Sequence, residues 1–277
     1  MSDDPRKSVL AKAGVQFGSF SQPNDHAPFA KNVVIVTSGK GGVGKSTVAV
    51  NLASVYAQRD WRVGLLDADV YGPSVPRMLQ LEDERLQWNE ANRIVVAENF
   101  GIKVMSVGMT TPTPDTPLIW RSSVATSAMI QLLDDVDWGE LDVLIVDMPP
   151  GTGDTQITMA QELRVTKAVV VTTPQVVATD DVRRALRMLA EVKVPIGGIV
   201  ENLSGFVAPD TGKSYAIFGE GGGRSLASAY DVPFLGVIPV DLAVRESSDA
   251  GTPIAVSGSA AQRAYYEQVV DGLALQK

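Results

Sequence analysis

Residues 33–58 read VVIVTSGKGGVGKSTVAVNLASVYAQ, and the order of features within this stretch decides the fold. Residues 33–36 are four apolar residues of the type that forms a short buried strand. Gly39-Lys40-Gly41-Gly42-Val43-Gly44-Lys45-Ser46 then satisfies the phosphate-loop pattern of Gly, four residues, Gly, Lys and Ser or Thr. From Ser46 onward apolar residues recur three or four apart, which is the period of a helix. A strand, a glycine bend and a helix in that order aim main-chain amides and the positive end of a helix at one point, where anionic oxygens are held. The glycines let the backbone curl around phosphate, Lys45 brings a point charge to the outer phosphates, and the Ser46 hydroxyl can ligate magnesium. The stretch from Gly39 to Thr47 is therefore the expected nucleotide cradle, with ATP and magnesium as its ligands.

Outward from this unit, short β-branched runs alternate with longer helical patterns, the mark of a mostly parallel sheet with crossover helices. Further strands are expected at 62–66, 143–146, 168–171, 196–200 and 234–238, and helices at 46–58, 123–133, 180–191 and 260–273. Between 80 and 116 the pattern loosens, and short runs at 93–97 and 102–106 predict a hairpin or an excursion at the sheet edge. The expected fold is α/β, a three-layer P-loop NTPase with a central sheet flanked by helices. Residues 1–31 are expected to form a flexible leader and 32–277 a single ATPase domain. The single histidine, His26, falls in that leader and reads as solvated rather than as a ligand.

Among the 277 residues, 24 Lys plus Arg face 32 Asp plus Glu, a formal charge of -8 that disfavours non-specific attraction to nucleic acid or anionic lipid. The chain has no cysteine, so neither a disulfide nor a thiolate metal site can be built from it alone. No signal-peptide core and no membrane-length apolar run is visible, and a cytoplasmic protein is expected.

A magnesium nucleotide site needs a carboxylate at the end of a neighbouring strand, and Asp147, after Leu144-Ile145-Val146, supplies one. The turn Pro149-Pro150-Gly151-Thr152-Gly153-Asp154 follows it, stiff and rich in exposed amides, suited to sensing a γ-phosphate. A second pair, Asp67 and Asp69, follows the strand ending at Leu66. Strand alternation places both on one side, near the edge where ligands of open α/β sheets bind, so that one of them can polarise an attacking water. No Asn-Lys-x-Asp guanine signature occurs, which favours ATP over GTP.

The string TSGKGGVGKST (37–47) resembles the deviant P-loop of the MinD/ParA ATPases, whose mark is a lysine after the first glycine, here Lys40. Within that group, LLDADVYGPSVP (65–76), WGELDVLIVDMPPGTGD (138–154), TTPQVVATDDVRRA (172–185), ENLSGFV (201–207) and IFGEGGG (217–223) resemble the Mrp/ApbC iron-sulfur carriers, and the likeness runs from about residue 31 to the end. The resemblance implies a homodimer that sandwiches two ATP molecules, with Lys40 reaching the partner's nucleotide. It further implies that Asp69 orients the hydrolytic water, Asp67 supports the switch formed by Pro150, Gly151, Thr152 and Gly153, and Asp147 serves magnesium, with Ser46 and Asp69 the other expected magnesium residues, directly or through water. Asn202 would face the adenine, with Pro239 and Asp241 in the stretch closing the base pocket.

Two departures stand out. Carriers of this kind usually have Cys-x-x-Cys between the ENLSGFV-like and IFGEGGG-like strings, where this chain reads Ala208-Pro209-Asp210-Thr211. Iron-sulfur clusters take soft sulfur ligands, usually four, and none of these side chains offers one. The second departure is Ser122-Ser123 where the family commonly has Gly-Pro. The expected function is ATP hydrolysis, slow without a partner, in iron-sulfur cluster assembly or transfer, with the cluster ligands non-standard or brought by acceptor or scaffold proteins. The competing expectation is a MinD/ParA-like positioning or assembly ATPase that switches protein partners. A third is ATP held as a structural ligand. The final segment offers only Arg263 and Lys277 against Glu267 and Asp271, so membrane attachment is not expected.

Overall fold

Strand β1 (Ala30–Ser38) is followed directly by the glycine bend and then by helix α1 (Lys45–Gln58). The computed structural model describes residues 25–70, 72–110 and 122–277. The chain continues through β2 (Val63–Asp67), the short α2 (Val75–Met78), β3 (Gln87–Trp88), β4 (Ile94–Val95), β5 (Ala97–Asn99) and β6 (Ile102–Ser106). Helix α3 (Ser122–Asp134) leads to β7 (Leu141–Asp147), α4 (Asp154–Gln161), β8 (Lys167–Thr172) and α5 (Val176–Glu191). The last third holds β9 (Ile196–Val207), β10 (Ser214–Tyr215), α6 (Gly222–Tyr230), β11 (Phe234–Val240), α7 (Leu242–Asp249), α8 (Ile254–Ser257) and α9 (Ala260–Leu273).

Among the described residues one sheet runs in the order β10-β9-β8-β1-β7-β2-β6-β5, with β11 also beside β9. All its pairings are parallel except those of the short β5 and β10. Parallel strands joined by crossover helices are covered on both faces, which is why the runs are continuously apolar rather than alternating. All seven residues of β7 are buried. Val34, Ile35, Leu65, Ile145 and Val170 are at 0% exposure, and each side chain so buried contributes roughly 1.5–3 kcal/mol relative to its exposed state. The register sets Val36 opposite Asp147 and Asp67 opposite Asp147, so the functional ends of β1, β7 and β2 lie together at the carboxyl edge of the sheet.

The expected strands and helices are present, with differences that have physical reasons. The run at 102–106 forms an internal parallel strand, β6, and the expected hairpin is its antiparallel pairing with β5. Helix α5 begins at Val176 rather than 180; Val176 and Val177 are exposed, so its first turn does not follow the apolar period of the rest. The packed body also begins before residue 32: Ala27 and Ala30 are buried, and Phe29 stacks on the buried Trp138 at 6.0 Å. His26 is not a solvated leader residue. Its Nδ1 meets Asp134 at 2.8 Å and its Nε2 meets Glu162 at 3.2 Å, so it bridges the end of α3 and the residue after α4. The first 24 residues of the expected leader lie outside the described residues.

Candidate nucleotide-binding site

The loop after β1 keeps its shape because of two glycines. Gly42 and Gly44 have φ of 78° and 81°, the left-handed region that side chains disfavour. Gly44 has a second constraint, since a Cβ there would come 2.2 Å from Asn202 Nδ2. Gly39 packs against the backbone of α5, where a Cβ would lie 2.4 Å from the Asp181 carbonyl carbon. Ser38 Oγ donates to the Lys40 carbonyl at 2.9 Å and fixes the start of the loop. A cleft of about 200 Å³ opens over it, lined by Gly41, Gly42, Gly44, Lys45, Ser46 and Thr47 from the loop together with Lys40, Asp69 and Pro150. Val43 faces the core.

Lys45 and Asp147 meet at the wall of this cleft. Lys45 Nζ lies 2.6 Å from Asp147 Oδ1, and the two side chains are 6% and 0% exposed. Burial raises the Asp147 carboxyl above its ordinary range, while the Lys45 charge pulls it back. The second oxygen, Asp147 Oδ2, is buried without a hydrogen-bond partner. An orphaned carboxylate oxygen on the strand next to the Ser46 hydroxyl is the hard oxygen donor set that suits magnesium.

Asp67 and Asp69 do not face the same way. Asp67 is fully buried and accepts from the amides of Asp69, Ser74 and Val75 at 3.1, 3.2 and 3.2 Å and from Ser106 Oγ at 3.1 Å. Burial and the charge of Asp147 push its carboxyl up to about 7. Asp69 lies beyond the end of β2 and lines the cleft. The alternation expected of a strand stops at Asp67, so one carboxylate anchors the loop and the other opens to the cleft.

The turn after Asp147 is tied to the phosphate loop. Met148 N donates to the Val36 carbonyl at 3.0 Å and Gly151 N to the Ser38 carbonyl at 3.2 Å. Gly151 has φ of 93°, Thr152 is half-buried, and Gly153 caps α4. Pro150 reaches the cleft. The buried Gln156, which sequence reasoning passed over, connects this turn to β1 through Thr37.

The three residues expected around the base make contacts outside the phosphate cleft. Asn202 is buried and donates from Nδ2 to the Val43 carbonyl at 2.8 Å, so it braces the phosphate loop from behind. Asp241 caps α7 by accepting from Ala243 N at 2.8 Å, and its other oxygen accepts from Gln262 Nε2 at 2.6 Å. Pro239 is half-buried, and none of the three lines the cleft. A further unpredicted residue is the buried Glu201. Its carboxylate accepts from Ser204 Oγ at 2.6 Å and from the amides of Gly221 and Gly223, fixing the start of α6.

The segment 208–213, where carriers place two cysteines, closes by main-chain bonds. Ala208 N donates to the Lys213 carbonyl at 3.0 Å and Gly212 N to the Ala208 carbonyl at 2.8 Å, below the β9–β10 pairing of Val207 with Ser214 and Phe206 with Tyr215. No group of three or more His, Cys, Asp or Glu among the described residues is placed to hold a metal ion.

The family profile described as "ParA: NUBPL iron-transfer P-loop NTPase" matches residues 30–274. The iron-sulfur cluster carrier protein of Aquifex aeolicus is 49% identical over 230 residues, covering 83% of this chain and 63% of that protein. The protein of the same name from Deinococcus radiodurans is 49% identical over 259 residues, covering 90% of this chain and 73% of the relative. Among solved structures, a nucleotide-binding protein from Archaeoglobus fulgidus in complex with ADP superposes with a TM-score of 0.72 at 37% identity, covering 80% of this chain and 87% of that one.

Proposed function

This chain belongs to the ParA-type NUBPL iron-transfer P-loop NTPase family, and from that premise we propose that it is an ATP-hydrolysing factor of iron-sulfur cluster assembly or transfer whose cluster ligands come from a partner. The observation that carries the nucleotide part is the buried Lys45–Asp147 pair beside a glycine cradle, in a cleft that Asp69 also lines. The loop amides bind the phosphates and Lys45 turns from Asp147 to their outer oxygens. Ser46 and Asp147, the latter directly or through water, are the residues that would hold magnesium, which when bound neutralises phosphate charge. Asp69 orients the attacking water and takes its proton as the new bond to the γ-phosphorus forms and the bond to the ADP oxygen breaks.

A homodimer is the proposed working form, with Lys40 reaching the partner's nucleotide. Support comes from exposed Val176, Val177, Val207, Tyr215, Ile217 and Phe218. A Cβ on Gly219 would lie 3.7 Å from Pro174 Cβ, so the loop before α6 lies near the turn before α5.

The cluster is cargo, and with no cysteine in its 277 residues this chain cannot ligate one in the usual way. A thiol-bearing acceptor or scaffold protein supplies the sulfur, and the nucleotide state governs the exchange. The proposed setting is the cytoplasm, where thiols stay reduced. Among the described residues no helix is long and apolar enough to cross a membrane. The positioning-ATPase alternative gains nothing from the last helix, whose Tyr266, Val269, Val270 and Leu273 are buried in the core. The test is anaerobic transfer: iron, sulfide and dithiothreitol are mixed with the protein and apo-ferredoxin, with MgATP, MgADP or neither. Ferredoxin maturation that depends on the nucleotide is expected, and maturation indifferent to both protein and nucleotide would discard the proposal.

A further inference from the structure

Gln156 lies in the first turn of α4, is 1% exposed, and bridges two parts of the nucleotide site. Its Oε1 accepts from Thr37 Oγ1 at 3.2 Å, and its Nε2 donates to the Pro149 carbonyl. Thr37 is itself fully buried and stands one residue before Ser38, where β1 enters the phosphate loop. Pro149 opens the turn that follows Asp147. The same two segments are joined again by Gly151 N on the Ser38 carbonyl and Ser38 Oγ on the Lys40 carbonyl. A continuous set of bonds therefore runs from the 149–154 turn, through Gln156 and through Ser38, to the loop that carries Lys40.

The chemistry at this point is selective. The side chain must accept on one side and donate on the other, which a carboxamide does and a carboxylate or hydrocarbon of the same size does not. Burial prevents water from replacing either bond, so a change here is felt by both partners.

We propose that Gln156 is a positioning residue for ATP turnover: it holds the 149–154 turn in register with the phosphate loop so that the turn meets the terminal phosphate. This rests on the nucleotide reading given above. Gln156 touches no reacting atom in this account. A residue that merely knits α4 to the sheet would, when altered, weaken every nucleotide alike. A residue that sets the turn would affect the triphosphate and spare the diphosphate, because only the triphosphate extends to the turn.

The experiment compares wild type with Gln156→Glu, Gln156→Leu and Thr37→Val, the last removing only the hydroxyl. Affinity for MgADP and for the magnesium complex of the β,γ-imido analogue of ATP is measured by calorimetry, steady-state turnover by phosphate release, and folding by thermal melting. MgADP affinity is expected to stay within about threefold, while turnover and the preference for the triphosphate fall by about 10-fold to 100-fold. The double variant Thr37→Val/Gln156→Leu should be no worse than Gln156→Leu alone. Folded variants with unchanged turnover and unchanged triphosphate preference would overturn the proposal, as would MgADP affinity falling in parallel. If the Gln156 variants do not fold, Thr37→Val decides by the same comparison. Wild type that binds both nucleotides without turnover defeats the hydrolysis reading alone, and the triphosphate preference then decides for Gln156. Wild type that neither turns over nor distinguishes the two nucleotides defeats both.

Discussion

Lys45 and Asp147 are joined by an ion pair of 2.6 Å that is almost wholly shielded from water, at the junction of the phosphate loop and the strand beside it. A buried pair of this kind is held in place because each charge would be costly alone. Lys45→Ala is therefore predicted to do two separable things. It abolishes nucleotide binding, and it lowers stability by about 3 kcal/mol at pH 7 because Asp147 is left charged in the core. Urea unfolding should show that deficit shrinking at acidic pH, where the abandoned carboxyl takes a proton.

The separation of Asp67 from Asp69 predicts opposite phenotypes for neighbouring aspartates. Asp69→Ala should bind MgATP with affinity close to wild type and lose turnover by about 100-fold or more. Asp67→Ala should be destabilised by about 2–4 kcal/mol, since three amides and the Ser106 hydroxyl lose their buried acceptor. Nucleotide titration and chemical denaturation of the two variants distinguish these effects; normal hydrolysis by Asp69→Ala would remove it from the chemistry.

His26 faces Asp134 with one ring nitrogen and Glu162 with the other, while Asp25 and Arg164 pair with each other at 3.5 Å. Two carboxylates around one imidazole favour the imidazolium, and the hydrogen bond to Asp134 is the main cause of the raised pKa, with partial burial opposing it. The stabilisation is complete below the unfolded value of about 6.5 and fades as pH rises through the higher folded value. Because the chain has one histidine, its ring proton resonance titrates without overlap. A midpoint above 6.5, lowered in Asp134→Asn, is expected. His26→Gln should cost up to about 1 kcal/mol at pH 6 and nothing at pH 9.

The 208–213 turn closes through main-chain bonds and contains no thiol. Chelation with EDTA in the absence of nucleotide should therefore leave melting temperature and oligomeric state unchanged. Protein purified without oxygen should hold no stoichiometric iron or sulfide unless a thiol-bearing protein is bound to it. Stoichiometric cluster on the isolated chain would refute the assignment of its ligands to a partner.

Local signals explain what was legible beforehand. The phosphate loop, Asp147 and the strands around them are written in short contiguous strings whose period or spacing has one structural meaning. The missed features depend on distant residues or weak patterns. Asn202 braces Val43 across 159 positions and His26 meets Asp134 across 108, distances at which a single sequence carries no pairing signal. Helix α4, DTQITMAQ, is short and has few apolar positions, so no helical period stands out. That Asp67 is buried while Asp69 lines the cleft follows from where β2 ends, and element boundaries are the part of a pattern that local residues specify least.

The account stands on triphosphate binding by the loop around Lys45, and calorimetric titration of MgATP into folded protein tests it most directly. It predicts a saturable signal with one site per chain that disappears in Lys45→Ala while Asp69→Ala retains it. An absence of binding heat from wild-type protein that melts cooperatively, checked at two temperatures, would contradict it.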